Sequence, residues 1–237
     1  MSTCARDRRA ALYFADQDWF FTMLRSELWQ LQAEARQLGL VPSCRLNGSS
    51  DIPWAELHRD FLCEFDAIQF YDYTKVKSQM NGFLSRSTSN SSWPTNYHLT
   101  LSADASQRSV ATQYLQSGGN VALVFSPELP SSWWGYPVLD GDQSDARFLD
   151  PTGTIVGLRA KGRAQVDTDH FVIRPCPNCG PVGPEMQLTG FDTTTQHSLT
   201  HACLRCGHHV VSKWTLRGSN EQPDPSSNPI VSPAVIC

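Results

Sequence analysis

The sequence contains no long apolar run. No stretch approaches the roughly 20 residues that a membrane-crossing helix needs, which removes helical membrane proteins from consideration. It has no surplus of basic residues: 19 Lys and Arg stand against 23 Asp and Glu, for a formal net charge of -4. The whole chain therefore lacks the basic footprint of a general nucleic-acid binder, although a local patch stays open. The first residues, Met1 to Arg9 (MSTCARDRR), lack the apolar core and cleavage site of a secretory signal and lead into an amphipathic segment. No internal repeat is present. These absences together give the expectation of a cytoplasmic protein with reduced thiols and no membrane partner.

What the sequence does have is cysteine, eight in all. Four form two CxxC knuckles, Cys176 with Cys179 and Cys203 with Cys206, each followed by a glycine, Gly180 and Gly207. Two such pairs at this separation can close one tetrahedral thiolate site, the arrangement a structural zinc ion prefers. The glycines permit the tight turn that aims both sulfurs inward. Flanking β-type runs, 171–173 and 210–214, read as strands of a zinc ribbon. His201, His208 and His209 lie beside the second knuckle, but four cysteines already suffice as ligands. Cys44 and Cys63 read as buried thiols.

The remainder alternates helix and strand. Apolar residues at Phe20, Leu24, Leu28, Leu31, Ala35 and Leu38 predict a helix over 16–38, with Asp16 as N-cap and Gly39 as its stop. A strand at 42–47, a helix at 54–62 and a strand at 67–71 follow. Beyond the Ser-rich loop 85–92, the pattern gives a strand at 96–101, a helix at 107–116 and apolar strands at 120–125 and 154–158. This alternation predicts an α/β fold, a largely parallel sheet or partial barrel, with a small C-terminal β zinc ribbon. The expected parts are an α/β domain over 1–169, the ribbon over 170–217 and a flexible tail over 218–237.

Parallel α/β folds bind ligands beyond the carboxyl ends of their strands, and polar residues recur there. Asp51 follows the first strand. Tyr73, Thr74 and Lys75 follow the second, and Ser102 and Asp104 the third. Asp140, Asp142 and Asp145 follow a strand-like segment at 136–139, and Lys161 follows the last strand. The spaced carboxylates of Asp140, Asp142 and Asp145 suit a hard cation such as Mg²⁺. They equally suit an acidic turn that caps amides or pairs with Arg147. Arg45, inside a strand, must be paired or line a site, with Asp51 its nearest candidate partner. Trp93, Trp133, Trp134 and Tyr136 can either stack on bases or close a core under a loop.

Ordered blocks carry a resemblance. They are 45–54 (RLNGSSDIPW), 70–75 (FYDYTK), 96–102 (NYHLTLS), 118–122 (GGNVA), 140–142 (DGD) with Asp145, 148–151 (FLDP) and 157–162 (GLRAKG). From about residue 6 to 173 the chain resembles a family of uncharacterised proteins of tailed phages and plasmids. The resemblance implies kinship rather than a reaction, and a host-cell cytoplasmic setting. It also implies a cysteine-rich segment upstream of the long helix, suited to an iron–sulfur cluster or another metal, of which this chain carries at most Cys4. The knuckles lie outside the resemblance and read as an added module.

Three readings follow. One is metal-dependent action on a nucleic acid or nucleotide, with Asp51, Lys75, Asp140, Asp142, Asp145 and Lys161 catalytic and Arg45, Tyr73, Thr74 and Ser102 holding substrate. Against a common nuclease arrangement, the position two before Lys161 is Arg159 rather than an acid. The alternative is a non-catalytic protein that engages a host protein or nucleic acid through the ribbon and the aromatic patch. A cluster-dependent enzyme, implied by the resemblance, is a third.

Overall fold

A computed structural model describes residues 3–48, 50–167, 171–180, 186–192 and 198–213. Part of the predicted ribbon strand at Trp214, the tail 218–237 and the side chain of Cys4 lie outside the described residues. The described chain packs as two units, one of the described residues up to Ser102 with Ser144–Pro151, the other of Ala103–Gln143 with the described residues from Thr152 on.

The first unit opens with helices α1 (Thr3–Ala15) and α2 (Gln17–Leu38). Asp16 caps α2 by accepting the Trp19 backbone N–H at 3.0 Å, and Gly39 ends it in a left-handed conformation with φ 65°. Leu24, Leu28, Leu31 and Ala35 form its buried stripe, as the helical period requires. Strand β1 is only Ser43–Cys44, shorter than predicted. Beyond it the backbone turns away because Asn47 donates its N–H to the Asp72 carboxylate at 2.7 Å instead of to a strand. The Asn47 side chain then holds the loop, accepting from Ile52 N and Trp54 Nε1 and donating to Ile52 O.

The predicted helix at 54–62 is broken into α3 (Trp54–Leu57) and α4 (Arg59–Glu64). His58 leaves helical geometry, and its ring meets the Tyr13 hydroxyl at 2.7 Å within a cluster of Phe21, Trp54 and Phe61. Strand β2 (Gln69–Thr74), helix α5 (Lys77–Leu84) and strand β3 (Tyr97–Ser102) follow. Strands β1, β2 and β3 pair in parallel. A 3₁₀ turn at Arg147–Leu149 packs on β2 and β3, with the Phe148 ring 5.6 Å from that of Tyr71.

The second unit holds helix α6 (Arg108–Gln116) and strands β4 (Asn120–Phe125), β5 (Ser132–Trp133), β6 (Tyr136–Asp140), β7 (Ile155–Arg159) and β8 (Val172–Ile173). Strand β4 pairs in parallel with β7 and β8, and β6 with β7; β5 and β6 form an antiparallel hairpin. The run 171–173, read from sequence as a ribbon strand, thus belongs beside β4. Val172 and Ile173 are fully buried there. The ribbon is built instead from β9 (Gln187–Asp192), β10 (Ser198–Ala202) and β11 (His209–Lys213), paired antiparallel in the order β11-β10-β9. The mostly parallel α/β architecture and the small separate sheet agree with the sequence. Among the described residues no helix is long and apolar enough to cross a membrane.

Gly157 lies where β7 meets β6. A Cβ there would come within 2.6 Å of Val138 Cγ1 and 3.2 Å of the Leu139 carbonyl oxygen. Gly157→Ala is expected to lower stability by about 1–3 kcal/mol, read as a lower urea midpoint for the intact chain.

Candidate metal centre and polar strand-end site

The four knuckle sulfurs lie within 4.8 Å of one another. Cys176 Sγ is 3.6 Å from Cys206 Sγ, and Cys179 Sγ is 3.7 Å from Cys203 Sγ. A tetrahedral ion with metal–sulfur bonds of about 2.3 Å would set its sulfurs about 3.8 Å apart, so the quartet fits one ion. Both knuckles close in the same way. Gly180 (φ 64°) returns its N–H to Cys176 O at 2.9 Å, and Gly207 (φ 71°) to Cys203 O at 2.8 Å. Within each loop two backbone N–H groups face the first sulfur, those of Asn178 and Cys179 toward Cys176 and those of Arg205 and Cys206 toward Cys203.

That donation, led by Cys206, draws the Cys203 thiol down to about 6. The Cys179 thiol, held by Cys206 and by burial, is pushed up to about 12. One thiolate in so tight a group suppresses the next, and a bound dication relieves the conflict. Cys176 and Cys203 are buried with Met186, so the cysteines are themselves the core of this small sheet. His208 stays outside the quartet, its Nδ1 3.2 Å from Asn178 Nδ2. His201 is buried and His209 exposed.

The polar residues at the strand ends fall into separate groups. In the first unit Asp51 closes the turn after β2. It accepts from Thr74 Oγ1 and from the Lys75 backbone N–H, both at 2.8 Å, and from Gln79 Nε2 at 3.3 Å. Arg45 does not pair with Asp51, which those donors already occupy. Its guanidinium lies 4.7 Å over the Tyr73 ring and 3.5 Å from Asp145 Oδ2, while Nε donates to Asn47 O. Asp145 also accepts from the Tyr71 hydroxyl at 3.3 Å. Ser102 ends β3, half-buried.

In the second unit Asp140 and Asp142 meet cations. Arg159 Nη1 is 2.8 Å from Asp140 Oδ1 and 3.3 Å from Asp142 Oδ2, and Lys161 Nζ is 2.8 Å from Asp142 Oδ1. Arg159 holds the Asp140 carboxyl below its usual range. Burial opposes ionisation of Asp142, but Lys161 and Arg159 outweigh it, and this carboxyl too is lowered. The acidic run 140–145 is therefore not one ligand set: Asp145 sits with Arg45 and Tyr71, and Asp140 and Asp142 with Arg159 and Lys161. Nor do the carboxylates of the run pair with Arg147, whose guanidinium donates to the Ser144 carbonyl and turns to Asp150 at 3.4 Å. Among the described residues the cysteine quartet is the one grouping of three or more His, Cys, Asp or Glu placed for a shared ion.

The aromatics are largely committed to packing. Trp93 stacks on Tyr97 at 5.6 Å and donates to its carbonyl, and Trp133 is buried edge-on against Phe125. Sequence reasoning passed over Asp72 and Tyr97. Asp72 is fully buried on β2, accepting from Asn47 N and, at 2.9 Å, from the Tyr97 hydroxyl. The available signal was an acid in the middle of an aromatic strand, FYDYT. Burial pushes its carboxyl up to about 7, against the pull of the Asn47 N–H and the Tyr97 hydroxyl.

A protein-family model described as Gene product 88 matches residues 3–180. The match therefore takes in the first knuckle, Cys176 and Cys179, which had been expected to lie outside the resemblance; the second knuckle remains beyond it. No curated protein and no solved structure matches the chain.

Purified protein is expected to carry one tightly held divalent metal ion per chain by elemental analysis. Cys203→Ser should lose it, and the remaining knuckle thiols should then react with a thiol reagent without denaturant. For Asp72, raised in the folded state from 3.8 to about 7, folding favours the protonated form. Its contribution is complete below the unfolded value and is lost as pH rises through about 7. Between these values it should tilt stability downward by up to about 1.4 kcal/mol per pH unit. Asp72→Asn should flatten that slope in urea titrations across the same range.

Proposed function

The chain belongs to the Gene product 88 family, and we propose that it is an enzyme-like α/β protein acting on a phosphate-bearing ligand, a nucleotide or nucleic acid, with a structural zinc ion in its ribbon. The observation that carries the ligand reading is Arg45. Its guanidinium lies 4.7 Å over the Tyr73 ring beyond the short strand β1, held by Asp145 and Asn47 O. A guanidinium over a ring at the carboxyl end of parallel strands suits phosphate and bases alike. Lys75 extends from the end of β2 with an exposed side chain, while Asp51 fixes the turn that carries it.

Zinc follows from the donor set: four thiolates in a tetrahedron, closed to any further ligand, suit zinc as a structural ion. Cys176, Cys179, Cys203 and Cys206 would hold it, and it would supply the cohesion that a sheet of this size cannot draw from apolar residues alone. Magnesium has weaker support. At Asp142 it would have to displace Lys161 and Arg159, so any metal-dependent step would draw its ion with the substrate.

The second reading, capture of nucleic acid or a host protein by the ribbon, is favoured by one feature. Leu204, next in sequence to the exposed Arg205, is 70 % exposed, and Val211 on β11 is 53 % exposed.

Calorimetric titration of the metal-loaded chain with ATP and with a short single-stranded oligonucleotide, each with and without Mg²⁺, separates the two. Arg45→Ala should weaken binding about tenfold or more. Full binding by Arg45→Ala together with loss in Arg205→Ala would transfer the role to the ribbon. No binding of either probe by the wild type would sink the ligand reading.

A further inference from the structure

The parallel register sets Tyr71 beside His98 and Tyr73 beside Thr100. Side chains alternate along a strand, so these four share one face of β2 and β3. The opposite face carries Phe70, Asp72 and Tyr97. The 3₁₀ turn at Arg147–Leu149 lies over the first face and inserts Arg147, whose side chain is 2 % exposed.

Several polar atoms on this face are buried with no hydrogen-bond partner among the described residues: His98 Nε2, Thr100 Oγ1, and Nε and Nη1 of Arg147. Asp150 Oδ2 is in the same condition; it lies 3.4 Å from Arg147 Nη1, close enough to attract but not bonded. The guanidinium makes one hydrogen bond, from Nη2 to Ser144 O. Folding rarely leaves such groups unpaired, since each costs about 1–3 kcal/mol and a charged one more. Several on one face, arranged around a buried cation, are the mark of a ligand's polar group.

We infer that this face is an oxyanion site centred on Arg147, with Thr100 and His98 as its neutral donors, that anchors the phosphate or carboxylate group of a small ligand. It rests on the reading that this unit receives a ligand, and it names the group that is held. Arg147 supplies the charge through Nε and Nη1, and the Thr100 hydroxyl can donate. The His98 ring packs edge-on against Phe83 at 4.8 Å. Burial, with Arg86 and Arg147 nearby, lowers its pKa to about 4, so it meets the ligand as a neutral imidazole donating from Nε2. Asp150 faces Arg147 Nη1 at 3.4 Å, and burial raises its carboxyl against the opposing pull of Arg147. Tyr73, pushed up to about 12 first by burial, stays a phenol and adds no negative charge. Arg45, 4.7 Å over the Tyr73 ring, then contacts the remainder of the same ligand.

The test is thermal unfolding and calorimetry of the full metal-loaded chain with inorganic phosphate, sulfate and acetate against chloride at matched ionic strength. At least one oxyanion at about 10 mM should raise the melting temperature by about 2 °C or more; preference between phosphate and acetate identifies the source. Thr100→Val replaces an unpaired hydroxyl by a methyl. It should raise the melting temperature without ligand yet weaken oxyanion binding about tenfold, a split that a purely structural threonine would not give. Arg147→Lys, with Arg147→Met as the harsher variant, should abolish the shift. No shift for any oxyanion, or wild-type binding by Thr100→Val, overturns the inference. The nucleotide reading fails separately: an oxyanion shift without ATP or oligonucleotide binding retains this site alone, and nucleotide binding sensitive to Arg45 but not to Thr100 retains that reading alone.

Discussion

The buried carboxyl of Asp72 ties the first unit together. One oxygen takes the backbone N–H of Asn47 and the other the hydroxyl of Tyr97, so a single side chain on β2 fixes the exit from β1 and the position of β3. Once Asn47 is held, its amide organises the 47–54 loop. Asp51 then reaches Thr74 and Lys75 at the far end of β2. The opposite face of the same two strands carries Tyr71, Tyr73, His98 and Thr100. Its orientation toward the Arg147 turn follows from the register that the Asp72 contacts hold. A buried acid is costly to leave unsatisfied, and here the cost is offset by two donors and a shift toward the protonated form.

The ribbon solves a different problem. Three short antiparallel strands have little apolar surface to bury, and the cysteines take the place of a core. Cys176 and Cys203 are as buried as the leucines of the α/β strands. The N–H groups of both knuckles already face the sulfurs. The family match ends just past the first knuckle, so the site is made half from matched and half from unmatched chain. A metal ion held by this quartet would therefore also supply the cohesion of the sheet.

Two clusters of opposite charge behave unlike each other. Asp140, Asp142, Arg159 and Lys161 neutralise one another at the surface of the second unit, an arrangement that is screened and self-satisfied. On the inner face of the first unit, Arg147 and its neighbours are buried with bonds unmade. A self-satisfied cluster asks for no ligand, whereas an unsatisfied one does. That contrast moves the functional weight away from the acidic run and onto β2 and β3.

The sequence by itself determined whatever depends on local period and spacing. The helix from Asp16 to Gly39 follows from a 3.6-residue stripe and its two caps. Strand β4 follows from six residues, NVALVF, and the metal quartet from two CxxC turns with their glycines. The parallel α/β alternation was legible for the same reason. Only the tertiary structure decided which side chains meet. Arg45 passes over Asp51 for Asp145 and Tyr73 because Asp51 is already filled by donors from β2 and α5. The acidic run divides at residue 143 because Asp145 is held in one unit and Asp140 and Asp142 in the other. Val172 and Ile173 pair with β4 because a two-residue apolar strand gains more burial there than in a polar ribbon. The Arg147 site was least visible of all, since its members come from two strands and a distant turn, and only register brings them to one face.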